Sequence, residues 1–199
     1  MRRILAPLLT ASAIALLGVS PAAAGPSCYV ELGAGGALSS QRLDQAGASV
    51  TIAGDGYTGT IGLGCDYRME QIVAGIRARY EVSKITGSLM GDAWKANDAW
   101  EVALRAGYLI QPSILLYGVA GLKGTEIDYA GLINLDTKGL MFGGGLELEI
   151  SKHLALYAEY NHVQYGGWHG WHDAGATLKP STDAVMLGIR LRFDSLLPQ

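Results

Sequence analysis

The sequence has 199 residues, of which 49% are apolar and only 17% charged, and its formal net charge is −3. This composition excludes an intrinsically disordered chain, and its two cysteines are too few for a disulfide-rich scaffold. The chain has no lysine- or arginine-rich block, which argues against nucleic acid as a partner. Its 28 glycines are roughly twice the usual share of about 7%, and they follow no collagen period.

The first 24 residues have the layout of a secretory signal peptide. Arg2 and Arg3 precede an uncharged apolar run over residues 4–19, and small residues at 22–24 suit a cleavage site. A transmembrane helix is the alternative, but the run is shorter than about 20 residues and Pro21 ends it. We therefore predict a signal peptide over residues 1–24 and a single domain over residues 25–199.

The rest of the chain alternates apolar and polar residues with a period of two. From Ile72 onward, one face carries Ile76 and Tyr80 while the other carries Arg77 and Arg79, as in a β-strand. The facing of the fifth segment is ambiguous, because tyrosine and valine share a face with lysine there. Eight strands are predicted, at residues 28–37, 57–67, 72–81, 100–108, 114–124, 140–150, 154–160 and 187–193.

Short and long connections between these strands alternate. Tight turns are predicted around residues 68–70, 111–113 and 151–153, and long loops over residues 38–56, 82–99, 125–138 and 166–182. All the long loops then lie at one end of an up-and-down meander. The predicted fold is all-β, an eight-stranded antiparallel up-and-down transmembrane β-barrel with short periplasmic turns.

A soluble lipocalin-like barrel is the rival fold, with its apolar faces turned inward around a ligand. Two features disfavour it. The polar faces are rich in glycine and small residues rather than in the side chains of a wetted surface. The apolar faces carry aromatic residues at the strand ends, where a membrane-interface girdle needs them. These aromatics are Tyr67, Tyr80, Trp100, Tyr108, Tyr160 and Phe193.

The signal peptide, the eight alternating strands and the closing segment at residues 188–193 resemble a known family. They are similar to the small outer-membrane β-barrels of Gram-negative bacteria, the porin-like and opacity-like group related to the OmpA transmembrane domain. The chain departs from the family's C-terminal aromatic signal, because six residues follow Phe193. The resemblance implies an outer-membrane location. It also implies contacts with membrane lipid and lipopolysaccharide and with the barrel assembly machinery.

The charged residues of the strands would face the lumen of such a barrel. An eight-stranded barrel is filled by its own side chains, so these charges must neutralise one another. We expect a plugged lumen, and a narrow porin with a charge-lined pore is the alternative. The recurrent glycines on the same face would make room for the large side chains. We call the predicted set the lumenal charge network: Glu31, Arg77, Arg79, Glu81, Glu101, Arg105, Lys123, Glu147, Glu149, Glu159, Arg190 and Arg192.

A loop group of aromatic and metal-binding residue types lies near the C-terminus. It consists of Trp168, His169, Trp171, His172 and Asp173. Imidazoles and a carboxylate could bind a transition metal, and tryptophan with histidine could contact haem or a sugar. The group lacks the spacing of a four-ligand site, so we expect no metal and no cofactor, and an exposed loop whose aromatics rest on lipopolysaccharide.

Two cysteines and one further histidine are the remaining residues that could carry chemistry. Cys28 and Cys65 fall at the same end of neighbouring strands, where a disulfide is plausible if the register is right. Lipid A deacylases carry a His-x-Ser pair near the penultimate strand, but here His162 is followed two residues later by Gln164. We therefore predict a non-enzymatic protein that contributes to envelope integrity or surface interaction. Loop-borne binding of haem, a metal or a host molecule is the alternative.

Overall fold

The computed structural model describes residues 25–45, 48–89, 92–129, 133–166, 168–169 and 177–194, and these are almost entirely β-strand. The described residues contain no helix that is long and apolar enough to cross a membrane. The strands are β1 Gly25–Gln45, β2 Ala48–Met69, β3 Ile72–Leu89, β4 Asp92–Gln111, β5 Ile114–Tyr129, β6 Ile133–Ser151, β7 Leu154–Tyr165, β8 Trp168–His169 and β9 Thr177–Asp194.

The strands form one closed antiparallel sheet. Each long strand pairs with the next in the chain, β7 pairs with β9, and β9 returns to pair with β1. The two-residue β8 extends the β7 position along β9. The result is the predicted eight-stranded barrel, closed so that every long strand has two neighbours over its central part.

Turns of two residues join the strands at one end, at 70–71, 112–113 and 152–153. Glu70 adopts a φ of 53°, in the left-handed region that favours glycine, and it is the one described non-glycine residue with a positive φ. These are the three tight turns that the sequence predicts.

The predicted long loops are largely wrong. The first hairpin remains paired as far as Gln45 and Ala48, and the second and third remain strand to Leu89 and Tyr129. These extensions carry polar residues on both faces, because neither face lies against lipid. They therefore lack the two-residue hydrophobic period on which the sequence prediction depended. The barrel wall continues well past the apolar zone as long hairpins.

Burial alternates along most of each strand and assigns the two faces. The large apolar side chains of one face are exposed on the outside, such as Leu63 at 63% and Leu104 at 66%. The facing of β5, ambiguous from sequence, is now clear, since Tyr117, Val119 and Lys123 all point inward and are buried. The exposed apolar band is the surface that a barrel turns toward lipid.

Aromatic side chains bound this band at both ends. All six aromatics predicted for the girdles are on the outer face, with 43–50% of their surface exposed. At the long-hairpin end, Tyr80 donates a hydrogen bond to Asp98 and Tyr160 to Asp183, both at 2.5 Å. At the turn end, Tyr108 donates to Gln71. Each phenol thus points its hydroxyl away from the apolar band and toward polar groups, as at a membrane–water interface.

Candidate functional site in the lumen

Arg190 on β9 lies at the centre of the lumenal charge network and is fully buried. Its Nε donates to Glu31 of β1 at 2.7 Å, and its Nη1 donates to Glu147 of β6. A third carboxylate, Glu159 of β7, lies 3.7 Å from its Nη2. One guanidinium therefore contacts carboxylates on both neighbouring strands, β1 and β7, and on β6 beyond β7.

Two arginines of β3 form the second part of the network. Arg77 donates two hydrogen bonds to Glu159, at 2.5 and 2.8 Å, in the bidentate geometry that suits a carboxylate. Its Nε also donates to Glu101 of β4 at 2.8 Å. Arg79 donates to Glu31 and, at 2.6 Å, to Glu159. Glu159 thus accepts from both arginines.

The network extends toward both ends of the barrel. Toward the tight turns, Arg105 contacts Glu147 and Asp66, and Arg192 contacts Glu147 and Glu149. Leu109 and Leu115 are buried beside it at that end. Toward the long hairpins, Lys123 donates to Glu81 at 2.6 Å, and Ser83 donates to the same carboxylate at 2.9 Å.

Three tyrosines fill the space between the charges. The Arg190 guanidinium carbon lies 4.4 Å from the ring centroid of Tyr157 and 5.1 Å from those of Tyr29 and Tyr117. The Tyr117 ring also lies 4.2 Å from the Arg105 guanidinium carbon, and its hydroxyl donates to Glu159 at 2.8 Å. These cation–π and hydrogen-bond contacts stabilise the buried guanidinium groups.

Glycines face these rings, as their lumenal parity suggests. A Cβ at Gly188 would lie 2.5 Å from the Tyr157 Cζ, and one at Gly64 would lie 2.5 Å from the Tyr29 Cζ. Real carbon atoms do not approach so closely, so only glycine leaves room for the rings at these positions. The rest of the predicted lumenal glycines are Gly33, Gly35, Gly62, Gly75, Gly107, Gly121, Gly143 and Gly145, and each would also place a Cβ within 3.0 Å of a heavy atom.

The structure places all twelve residues of the lumenal charge network on the inner face, and each forms an ion pair with another of the twelve. Sequence reasoning missed Asp66, which belongs to the same network through Arg105. It also did not assign the three tyrosines a role. Asp66 shares the parity of the lumenal Gly62 and Gly64, so its facing was available from the pattern.

Cys28 and Cys65 are directly opposite each other on β1 and β2 and form a disulfide, with an S–S distance of 2.05 Å. Their strand positions face outward, near the tight-turn end. The disulfide therefore joins the first strand to its neighbour next to the β1–β9 closure, where Cys28 pairs with Phe193.

The loop group of Trp168, His169, Trp171, His172 and Asp173 lies outside the described residues, apart from the backbone of β8. The expectation that this loop group binds no metal therefore stays a prediction. In the part of the chain that the structure describes, no three His, Cys, Asp or Glu residues are grouped so as to hold a metal ion.

A rim cluster of three residues lies on the outer face just beyond the girdle. Asp183 accepts a hydrogen bond from Tyr160, and its Oδ1 lies 2.8 Å from the Nδ1 of His162. These two hydrogen bonds, the one from Tyr160 first, lower the pKa of Asp183. The rim cluster ties β7 to β9 at the level where the polar part of the membrane begins.

A closed antiparallel barrel with an apolar outer band, aromatic girdles and a charged interior defines an outer-membrane β-barrel protein. The family model for the outer membrane protein beta-barrel domain matches residues 9–193. The chain belongs to this family, and its location is the bacterial outer membrane.

The chain is also similar to solved structures of other outer-membrane proteins. Neisserial surface protein A matches at 15% identity with a TM-score of 0.50, covering 85% of this chain and 99% of its own. OprG from Pseudomonas aeruginosa matches at 15% identity and a TM-score of 0.49, over 84% and 96% of the two chains. Ail of Yersinia pestis, in complex with the heparin analogue sucrose octasulfate, matches at 16% identity and a TM-score of 0.46, over 83% and 99%. No curated protein matches significantly.

Proposed function

We propose that this chain is a non-enzymatic outer-membrane barrel with a plugged lumen, which contributes to envelope integrity and presents its long hairpins for contacts at the cell surface. The observation that carries the proposal is the lumenal charge network. It crosses the lumen from strand to strand and leaves the central guanidinium of Arg190 with no exposed surface.

The energy of this network argues against the narrow porin. A passing ion would have to separate Arg77 of β3 from Glu159 of β7, on the opposite side of the barrel, and Arg190 of β9 from Glu147 of β6. Breaking a buried, hydrogen-bonded ion pair costs about 3–5 kcal/mol. At about 1.4 kcal/mol per factor of ten, the open arrangement would have a population of about 10⁻² to 10⁻⁴.

The residue two positions after His162 supports a non-enzymatic role. His162 shares a hydrogen bond with Asp183, which resembles the base and orienting carboxylate of a hydrolase. The position two residues after His162 is Gln164, whose amide donates to the carbonyl of Pro180 at 3.1 Å. An amide at this position supplies no nucleophile for the imidazole to activate.

The length of the hairpins supports surface contacts. On β2, Tyr57 marks the exposed end of the apolar band, and the paired strand continues for nine more residues to Ala48. At about 3.3 Å per residue, this extension reaches roughly 30 Å along the strand. Paired strands of that length form an ordered platform, which is suited to contacts with other molecules.

Solute release from liposomes tests the plugged lumen. Vesicles containing the purified barrel and an entrapped small sugar should retain the sugar as well as protein-free vesicles do. A variant with both Tyr117→Gly and Tyr157→Gly removes two central rings and should leak more. Rapid release from vesicles with the unmodified protein would contradict the proposal.

Cysteine accessibility tests the surface presentation. Lys84 lies on the outer face of the second hairpin and Lys152 in a tight turn, and both are exposed. An impermeant maleimide should label Lys84→Cys on intact cells. It should label Lys152→Cys only after the outer membrane is permeabilised. The reverse pattern would place the long hairpins in the periplasm.

A further inference from the structure

The Cys28–Cys65 disulfide lies on the outer face of the barrel, on the lipid side of the turn-end girdle. Cys28 is opposite Phe193 of β9, and Cys65 is opposite Ile76 of β3. From Cys65, β2 continues for about five residues to its turn, roughly 16 Å along the strand. The exposed side chains around the disulfide on this face are all apolar or aromatic: Val30, Leu63, Tyr67, Ile76 and Phe193. The sulfur atoms are therefore turned toward lipid.

This position is unsuited to making or breaking the bond in the inserted barrel. Thiol–disulfide exchange proceeds by attack of a thiolate, and apolar surroundings disfavour that charged form. A water-soluble oxidant would also have to leave water to reach the sulfurs. Before insertion, by contrast, both cysteines are in the periplasm, which is aqueous and oxidising.

We propose that the Cys28–Cys65 disulfide is made before the barrel enters the membrane, by exchange with a periplasmic thiol oxidase that carries a reactive disulfide. The chain then inserts with β1 already joined to β2. The partner is an enzyme that acts on the unfolded chain, and the inference does not depend on whether the lumen is plugged.

The exchange has two steps and transfers two electrons. A thiolate of the chain attacks one sulfur of the oxidase disulfide, which forms a mixed disulfide and releases the second oxidase sulfur as a thiolate. The other cysteine of the chain, as its thiolate, attacks the mixed disulfide and releases the first oxidase sulfur. The chain loses two electrons and two protons, and the oxidase disulfide is reduced to a dithiol.

Early cross-linking would set the register of the first hairpin. With Cys28 held opposite Cys65, Glu31 lies opposite Gly62 and faces the lumen, where Arg79 and Arg190 contact it. A slip of one residue would turn every side chain of β1 to the other face and would place Glu31 in lipid. The disulfide thus selects the register before the partners of Glu31 on β3 and β9 are in place.

Resistance to a water-soluble reductant tests the protected position. Oxidised barrel in lipid vesicles is treated with tris(2-carboxyethyl)phosphine on both sides of the membrane. After removal of the reductant, the protein is unfolded and its free thiols are labelled with a maleimide that shifts gel mobility. The disulfide should be reduced at least about tenfold more slowly than in the urea-unfolded chain, because exchange creates charge near lipid.

A second disulfide on the same two strands is the matched control. Ser40 and Ala53 are directly opposite each other on the outer face, in the same type of strand pair but beyond the apolar band. Ser40→Cys with Ala53→Cys, combined with Cys28→Ser and Cys65→Ser, moves the bond into water. This bond should be reduced in the folded barrel at nearly its rate in urea.

The order of events is tested with the unmodified chain in a Gram-negative host that lacks its periplasmic thiol oxidase. Free thiols are trapped with N-ethylmaleimide, and the outer-membrane fraction is run on a gel without reductant. Cystine supplied during synthesis should restore the disulfide, whereas cystine supplied after synthesis has stopped should leave the inserted chain reduced. A chain that reaches the outer membrane only when cystine is present during synthesis would also support the proposal.

Three results would overturn the inference. The first is reduction of Cys28–Cys65 in the folded barrel as fast as that of the control disulfide. The second is oxidation of the inserted, reduced chain by late cystine. The third is a complete disulfide in cells without the oxidase and without cystine, which would exclude the enzyme as the source of the bond.

Discussion

Replacing Arg190 with methionine is expected to destabilise the barrel by about 3–5 kcal/mol. Methionine fills part of the space and removes the charge, which leaves Glu31 and Glu147 with fewer partners. Removing one partner of a buried ion pair costs about 3–5 kcal/mol. Glu31 keeps Arg79 and Glu147 keeps Arg105, which favours the lower end of that range.

A double-mutant cycle isolates the ion pair from the general effect of substitution. Glu31→Gln removes the carboxylate that accepts from Arg190 at 2.7 Å. The double variant should be more stable than the sum of the single costs predicts, by at least about 1 kcal/mol. Arg192→Met is the matched control, since this side chain is 16% exposed at the rim of the lumen and should cost less.

Urea titration of the barrel folded in lipid vesicles, followed by tryptophan fluorescence, measures these free energies of unfolding. A cost below about 0.5 kcal/mol for Arg190→Met, which is typical of a surface substitution, would refute the reasoning. So would full additivity in the cycle, because it would mean that the two groups do not interact.

Three further results are expected from the same titration. The Cys28–Cys65 disulfide joins residues 37 positions apart, and reducing it should lower the free energy of unfolding by about 2–4 kcal/mol. Its reduction should also change the mobility of the protein on a gel run without reductant. An unchanged urea midpoint after reduction would contradict this prediction. The lowered pKa of Asp183 means that its carboxylate stabilises the fold above the ordinary pKa of about 4, and that this contribution is lost as the pH falls through the lower folded value. Asp183→Asn should therefore be less stable than the unmodified protein near pH 6 and equal to it near pH 2, and a difference independent of pH would count against this. Gly188→Ala should lower the free energy of unfolding by about 1–3 kcal/mol, because the added Cβ would collide with the facing Tyr157 ring. Gly59→Ala is the control and should lower it far less, because the nearest atom to an added Cβ there is 3.9 Å away. Equal losses for the two variants would contradict the packing argument.

The inner face could be predicted from sequence because strand parity is binary. Once Ile76 and Tyr80 are assigned to lipid, Arg77 and Arg79 must face the lumen. The register between strands is not encoded by parity, so the partners of each charge could not be predicted. That Arg77 contacts Glu159, 82 residues away, depends on the closure of the whole barrel.

The misassigned regions lie where the physical signal changes. Beyond the girdle both faces of a strand contact water or polar groups, so the hydrophobic period disappears while backbone pairing continues. The sequence therefore predicts loops where the structure has long hairpins. Asp66 has the lumenal parity of Gly62 and Gly64, but nothing in its own strand predicts an ion pair. Its charge acquires a role only when Arg105 reaches it from β4.

Single-channel recording in planar lipid bilayers tests the plugged lumen most directly. The unmodified barrel should give no large, steady ionic current. The variant with Tyr117→Gly and Tyr157→Gly, inserted in the same orientation, should conduct measurably because two central rings are gone. A large, steady conductance from the unmodified protein would show that ions pass the lumenal charge network, and it would contradict the account.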